Sequence, residues 1–480
     1  METPEKISRE VHPIDEVLPF WQLGFYGLQH VLTFYASAVI VPILLASALG
    51  LSRDMLEHLI EADLFTCGIA SLLQCVGLGP IGVRMPLLQG VTFVAVAPMI
   101  TIGLSAGGGV EGLQQIFGAV IAAGLFSFVA APHFAKLVRF FPPVVTGSII
   151  LVIGIALLPV AANDIVNGHG TSVMQDPVNM RNVAYGLGTL LVILFMQRFF
   201  TGFWRAISVL LGLISGTALA WLLGDAQFDT VAAAPALTVV TPLYFGIPTF
   251  RLMPVLSMIV VMMIAMLETV GDVYAAGKIV DKPIGPKEIT QAIRADGAAT
   301  ILGGIFNSFP YTCFAQNVGL VRLTGIRSRW VVAAAAVIMM ILGCVPKLAA
   351  MMACVPLPVM GGAALAMFGA VAVVGIQALS QVNFEHQGNT VVVGTSLGLG
   401  MLLVSQPHIT DHFPAWMKII FGSGITLGAT AAIVLNFIFN RQDPPPISVE
   451  GEVWNVGVQI SQDPDMLDLE SRSGRRIHRV

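Results

Sequence analysis

Long apolar runs separated by short polar stretches set the pattern from residue 20 to residue 440. A helix that crosses the hydrocarbon core of a bilayer needs about 20 mostly apolar residues. Fourteen stretches reach or approach that length: 22–48, 62–79, 88–104, 112–131, 143–161, 182–198, 205–224, 254–275, 294–308, 313–324, 330–353, 357–379, 389–405 and 418–439. The ninth and tenth are short, and Pro310 separates them. The pattern predicts an all-α membrane protein with a transmembrane region over 21–440. A polar tail precedes it at 1–20, and a charged, proline-punctuated tail at 441–480 reads as mostly disordered. The loop at 225–252, with Pro235, Pro242 and Pro248, divides the spans into two halves of seven.

The halves look alike at corresponding places. The third span opens with "PLLQGVTFVAVAP" (86–98) and the tenth with "PYTCFAQNVGL" (310–320). Each starts at proline, passes through β-favouring residues, and places a Gln and a Gly where hydrocarbon is expected. Seven is odd, so the two halves would lie upside down relative to each other. Inverted repeats with paired, Gly/Pro-interrupted short segments point to a secondary transporter with a midplane site.

Composition agrees with a lipid environment: 56% of the 480 residues are hydrophobic and 11% charged, against roughly 25% charged in soluble proteins. No small-residue cleavage site follows the mixed-charge first twenty residues, so the first apolar run is expected to be a mature span. An even span count puts both termini on one side, and Lys and Arg choose the side. With cytoplasmic termini only Arg53, Arg181, Arg251, Lys347 and Lys418 fall outside, and the other 19 of the 24 Lys and Arg fall inside. A compact carrier without a targeting extension suggests a bacterial inner membrane. The five cysteines lie in apolar stretches without metal-ligand spacing and read as small buried hydrophobes. "SAGGGVEG" (105–112) lacks the Lys-Ser/Thr of a phosphate loop, which favours ion coupling over ATP hydrolysis. His408 and His412 have helical spacing but sit in an expected external loop. No metal set or nucleophile–base pair stands in the spans, so neither an enzyme nor a cofactor is expected.

Ionisable residues at the bilayer centre cost at least about 2.5–3.5 kcal/mol each, so each needs a partner or a polar cavity. "ETVGD" in the eighth span places Glu268 and Asp272 on one helix face, four residues apart. Like charges at that spacing repel, so at neutral pH one is expected to be protonated or paired. Asp296 in "RADG", near the cytoplasmic start of the ninth span, reads either as a helix N-cap or first-turn acid or as part of a site. His30 in "GLQH" is either an interhelical hydrogen-bonder or a functional group. Residues 310–325 read as an extended stretch followed by a half-helix starting near Gln316–Asn317, whose free N–H groups carry positive dipole character. The Gln316 amide both donates and accepts, which suits a flat heterocycle with alternating C=O and N–H edges. The third span supplies Gln89, Gly90, Thr92 and Phe93, whose ring could stack on such a solute. Arg322, Arg327 and Arg329 are most simply positive-inside charges.

"QNVGLVRLTG" (316–325) also resembles the Q-N-x-G-x-x-x-x-T-G motif of the nucleobase–ascorbate transporter family, or nucleobase:cation symporter-2. "GLQH", "QGVTF", "ETVGD", "RADG" and "FNSFPYTCFAQNVG" stand in the family's order, so the resemblance spans residues 20–440. It implies fourteen spans in two inverted repeats, short antiparallel strands in spans three and ten, and a homodimer. It further implies a core of spans near 21–131 and 254–353 and a gate of spans near 143–224 and 357–439. By resemblance, Glu268 bonds a purine ring, Gln316 reads its opposite edge, Phe93 stacks, and Ala315 and Thr92 are neighbouring contacts. His30, Asp272, Asp296 and Asn317 would support the site or couple the cation, and Gln89, Thr324 and Gly325 would affect selectivity. Gln316 resembles the xanthine and uric acid branch, where uracil carriers tend to have Glu. Val318 stands where some xanthine carriers have a second Asn. The function these readings imply is purine import by symport with H⁺, or with Na⁺ if enough oxygen ligands converge, with no nucleic-acid partner. The alternatives are a carrier of uracil or another nucleobase, and an anion transporter of the same fold, which would put cations at the half-helix ends and no carboxylate at 268.

Overall fold

The computed structural model describes residues 12–137, 141–167, 179–414, 417 and 422–440. The expected disordered tail at 441–480 lies outside the described residues. The first half holds α1 (Phe20–Leu49), α2 (Arg53–Cys75), β1 (Gln89–Val91), α3 (Val96–Ser105), α4 (Gly109–Leu137), α5 (Pro143–Asn167), α6 (Met180–Phe199), α7 (Gly202–Ala206), α8 (Ser208–Leu222) and α9 (Asp229–Ala233). The second half holds α10 (Leu252–Ile279), α11 (Pro286–Ile305), β2 (Tyr311–Cys313), α12 (Ala315–Thr324), α13 (Arg329–Gly343), α14 (Pro346–Ala353), α15 (Leu357–Leu379), α16 (Gln387–Ser405) and α17 (Gly424–Phe439).

Seven of these helices are long and apolar enough to cross a membrane alone: α1, α4, α5, α6, α10, α15 and α16. The pair α13 and α14 makes an eighth if it counts as one span, although it bends by 78° between Gly343 and Pro346. The expected single span at 330–353 is therefore broken, because proline offers no N–H to continue the helical ladder. The expected span at 205–224 is likewise two helices, α7 and α8, and α3, α8 and α17 are shorter than a full crossing. The second span starts nine residues earlier than its apolar run, because Ser52 accepts from the Met55 N–H and caps a first turn rich in charge. The connector at 225–252 carries α9 and is bonded to the bundle: Leu243 N–H donates to Ile305 O at 2.8 Å and Thr249 N–H to Gln114 O at 3.0 Å. Pro407–His412 forms a 3-10 turn, so His408 and His412 do not share an α-helical face.

Two groups of helices pack separately. Helix α4 lies on α10 and α11, α2 on α11 and α13, and α1 on α2 and α13. In the other group α5 lies on α15, α16 and α17, with α6 on α8 and α15. Within the first group, β1 and β2 pair antiparallel with Gln89 opposite Cys313, Gly90 opposite Thr312 and Val91 opposite Tyr311. Each strand leads into a ten-residue helix, α3 after a 3-10 turn at Phe93–Ala95 and α12 directly.

Residues 12–19, just before α1, are packed against the bundle. Ile14 is buried against Val83, Met85 and Val280. Arg329 Nε meets Asp15 Oδ1 at 2.6 Å, and its Nη1 donates to the carbonyls of Cys75 and Val76 at the end of α2. Arg327 pairs with Asp281. Two of the three arginines thus fasten loops together as well as carrying charge.

Gly90 is required by close approach. A Cβ there would sit 2.4 Å from Phe34 Cε2 and 2.8 Å from Phe314 Cδ2. Overpacking of this kind costs about 1–3 kcal/mol. Gly90→Val should lower the thermal unfolding midpoint of the detergent-solubilised protein by several degrees. An unmoved midpoint would mean that α1 and the strands can separate without cost.

Candidate functional site

The strands leave the helical ladder inside the bundle, and the side chains around them are arranged accordingly. Asp296 is fully buried in the middle of α11 and accepts from Gln89 Nε2 and, at 2.5 Å, from Thr269 Oγ1. The helix begins at Pro286 under a capping interaction between Glu288 and the Gly285 N–H, at 3.0 Å. Asp296 is therefore neither an N-cap nor a first-turn acid, and the earlier start of the helix corrects that reading. With its proton directed at Asp296, the Thr269 hydroxyl accepts from Thr312 Oγ1 at 2.9 Å and from the Cys313 N–H at 3.4 Å. One carboxylate thus ties α10, α11, β1 and β2 into a single network.

A second brace holds the half-helix α12. The Asn317 Oδ1 accepts from the Leu88 N–H at 2.8 Å, which fixes the amide's orientation and leaves Nδ2 to meet His30 Nδ1 at 2.6 Å. His30 Nδ1 is then the acceptor, and a ring proton belongs on Nε2. His30 on α1 acts here as an interhelical hydrogen-bonder, both partners being buried.

Thr92, Phe93 and Glu268 lie together. The Thr92 hydroxyl donates to Glu268 Oε2 at 3.1 Å and accepts from the Val94 N–H at 3.3 Å. The Phe93 ring sits 6.1 Å from Phe314 and 5.5 Å, edge-on, from Phe368 of α15, so it reaches the second helix group. Asp272, one turn along α10, is half-buried. On α12, Phe314 and Asn317 are buried while Ala315, Gln316, Gly319 and Arg322 are exposed along one stripe. The structure starts this helix at Ala315, one residue before the expected start. Gln316 makes no hydrogen bond among the described residues, so its amide is free to meet a solute.

Thr324 and Gly325 do not join this cluster. Thr324 is about 12 Å from Gln316 along the helix axis, and its hydroxyl bonds back to Leu320 O at 2.9 Å. Gly325 adopts φ +69° and ends α12 with its N–H on Val321 O. Their place is the helix terminus.

Sequence reasoning missed Thr269 and Thr312, and it missed most of α2. There Asp63, Cys67, Ser71 and Gln74 form one polar stripe pointing at the strands. The spacing was visible in "DLFTCGIASLLQC" (63–75), within a stretch that otherwise reads as an ordinary span.

Apolar spanning helices around two strand-led half-helices define an integral-membrane carrier fold. The fold matches the transmembrane domain of a cyanobacterium bicarbonate transporter BicA, with TM-score 0.57 and 16% identity over 88% of this chain and 98% of that one. It also matches the murine anion transporter Slc26a9 in its inward-facing state, with TM-score 0.59 and 12% identity over 90% and 70%. At such identities the likeness concerns the fold alone.

Residues 21–409 match the model described as Permease family. Uric acid permease PucK of Bacillus subtilis is 42% identical over 88% of this chain and 96% of its own length. Xanthine permease of the same organism is 40% identical over 93% and 97%. Uric acid transporter UacT of Escherichia coli is 39% identical over 90% and 89%. The chain belongs to this permease family, in the purine-permease branch of the nucleobase–ascorbate transporters, a family of carriers and not of enzymes.

Removing a hydroxyl shared by three buried partners costs about 1–3 kcal/mol. Thr269→Val should therefore lower the unfolding midpoint in detergent clearly, while Thr324→Ala, whose hydroxyl bonds only its own helix and the Ile326 N–H just beyond it, should leave it near wild type. Equal midpoints for the two variants would contradict the network around Asp296.

Proposed function

We propose that the chain is a secondary active transporter that imports a purine nucleobase, uric acid or xanthine, by symport with H⁺. The observation that carries this reading is Glu268, held by Thr92 beside the Phe93 ring, which lies 6.1 Å from Phe314 at the start of α12, whose first turn carries a Gln316 amide unpartnered among the described residues. A purine offers N–H and C=O groups on opposite edges and a flat face between. Glu268 Oε1 takes a ring N–H, Gln316 pairs with the far edge, the Ala315 backbone adds a contact, and Phe93 stacks. The named substrates of PucK, UacT and the xanthine permease support uric acid and xanthine in that place.

In this reading Glu268 carries the proton in the substrate-free, outward-open state. Asp272 couples the cation, Asp296 supports the site by holding the strands, His30 and Asn317 support α12, and Gln89, Thr324 and Gly325 shape selectivity. The protein works as fourteen transmembrane segments in two inverted repeats, with the helix group around the strands as core and the group around α5 and α15 as gate. Movement of core against gate exposes the site to either side. Exposed apolar residues on α6 and α8, among them Leu191, Phe195, Ile214 and Trp221, suit a second copy or lipid. The Lys and Arg asymmetry supports cytoplasmic termini in an inner membrane.

An anion carrier on the same scaffold is the second reading, favoured by the fold likeness to BicA and Slc26a9. It needs cations facing the half-helix starts, and the site presents Glu268 and Asp272 instead.

Uptake of radiolabelled uric acid and xanthine into cells expressing the protein should be concentrative and should collapse with a protonophore. If neither purine enters, the purine reading fails, and uracil and other nucleobases come next. Glu268→Gln should abolish accumulation while permitting exchange; full accumulation in that variant would sink its coupling role. Gln316→Glu removes an N–H donor and should weaken uptake affinity about tenfold, the equivalent of one hydrogen bond. An unchanged affinity would count against direct contact.

A further inference from the structure

The polar stripe of α2 has no part in the substrate contacts, yet it meets most of the back of the strand pair. Residues directly opposite each other in a strand pair share a face, so Gln89, Cys313, Val91 and Tyr311 point one way and Gly90 and Thr312 the other. The second face meets Phe34 of α1 and Thr269 of α10. The first meets α2, where Asp63, Cys67, Ser71 and Gln74 follow at four-, four- and three-residue spacing along one helical face. Ser71 Oγ accepts from the Gln89 N–H at 2.9 Å, and Gln74 Nε2 donates to Cys313 Sγ at 3.1 Å.

The strongest of these contacts is at Asp63, which is 1% exposed. Its Oδ1 accepts from Ser308 Oγ at 2.8 Å and from the Tyr311 hydroxyl at 2.9 Å, with Cys67 Sγ at 3.8 Å. The Ser308 and Tyr311 hydroxyls are themselves 2.7 Å apart. The Asp63 Oδ2 has no partner among the described residues and is buried. A buried carboxylate so held is a costly way to fill space, and an apolar residue would pack as well. What it supplies is direction, because a hydroxyl bonded to one carboxylate oxygen can occupy only one place. Tyr311 lies four residues before Ala315 and five before Gln316, with no loop between β2 and α12 to absorb a shift.

We propose that Asp63 and Tyr311 are positioning residues: through the Tyr311 and Ser308 hydroxyls, Asp63 sets β2 and hence the first turn of α12, and so tunes affinity and discrimination among purines. The proposal rests on the purine-carrier reading above. Tyr311→Phe removes one oxygen and keeps the ring, and Asp63→Asn keeps the shape and changes the acceptor.

The test is uptake kinetics in cells for the full-length wild type, each single variant and the double variant, with membrane abundance measured alongside. Uric acid and xanthine are the substrates, and each also competes with the other. Tyr311→Phe should raise the half-saturation concentration about fivefold or more. It should also alter the ratio of the two purines' affinities, with maximal rate per molecule within about twofold. The double variant should be no worse than the poorer single one, since both act through one contact. A merely structural role would lower abundance and maximal rate with affinity and ratio unmoved, and that outcome overturns the proposal. Additive effects in the double variant overturn it as well. Where Asp63→Asn or Tyr311→Phe does not accumulate, Ser308→Ala, which removes a single donor, must reproduce the affinity shift or the proposal falls. Wild-type protein that takes up neither purine overturns the carrier reading and this proposal together. Wild-type uptake with an unshifted Tyr311→Phe overturns the positioning role alone.

Discussion

Backbone that leaves the α-helix inside hydrocarbon must find hydrogen-bond partners within the protein. A two-stranded ribbon satisfies only its inner edges, and much of the polar chemistry here answers that constraint. The N–H groups that the strand pairing leaves free are met by side chains from four helices: Gln89 by Ser71 of α2, Leu88 by Asn317 of α12, Tyr311 by Thr300 of α11, and Cys313 by Thr269 of α10. Many of the polar residues in these spans therefore serve the strands before they serve any solute. Removing one leaves a buried donor unpaired, which costs more than the bond itself contributes.

That obligation divides the carboxylates. Asp296 and Asp63 are saturated on at least one oxygen by hydroxyl or amide donors and lie deep in the helix group. Glu268 takes a single hydrogen bond from Thr92, and Asp272 takes none among the described residues. A carboxylate bound on several sides holds structure, whereas one bound on a single side can exchange a partner for a ligand. The same division separates the two neighbours on α12: Asn317 is bonded at both its side-chain oxygen and nitrogen, and the Gln316 amide at neither among the described residues.

The sequence made some of this legible. Apolar runs marked α1, α6, α10 and α15 to within a few residues, since each is long and uninterrupted. Glu268, Asp272 and Gln316 stood out because charge and amide are rare in such runs. The placement of Asp296 was not legible, because the amphipathic first turns of α11 carry Lys287, Glu288 and Arg294 and read as loop. Nor was α2, whose hydroxyl, thiol and amide groups are weakly polar singly and acquire meaning only opposite the strands. The break between α13 and α14 was hidden because Cys344 and Val345 are as apolar as the helices they interrupt.

The braces also limit how such a site can move. The first turn of α12 is tied to α1 through His30 and to the residue before β1 through Asn317, and its last turn ends at Gly325. Beyond that cap, Ser328 donates to Glu16 O, and Arg329 reaches Asp15 and the end of α2. Reshaping the site in place would break several of these bonds at once and orphan strand N–H groups in a dry interior. Displacing the whole braced group against the helices around α5 and α15 breaks none of them. The contacts that must yield are of another kind: Phe93 meets Phe368 edge-on between the two groups, and Ser37 Oγ makes a weak bond to Met367 Sδ at 3.8 Å. Such a surface can slide at the loss of one weak hydroxyl–thioether bond and no strand hydrogen bond. The bonding pattern supports the proposed motion of core against gate over local rearrangement at Glu268 and Gln316.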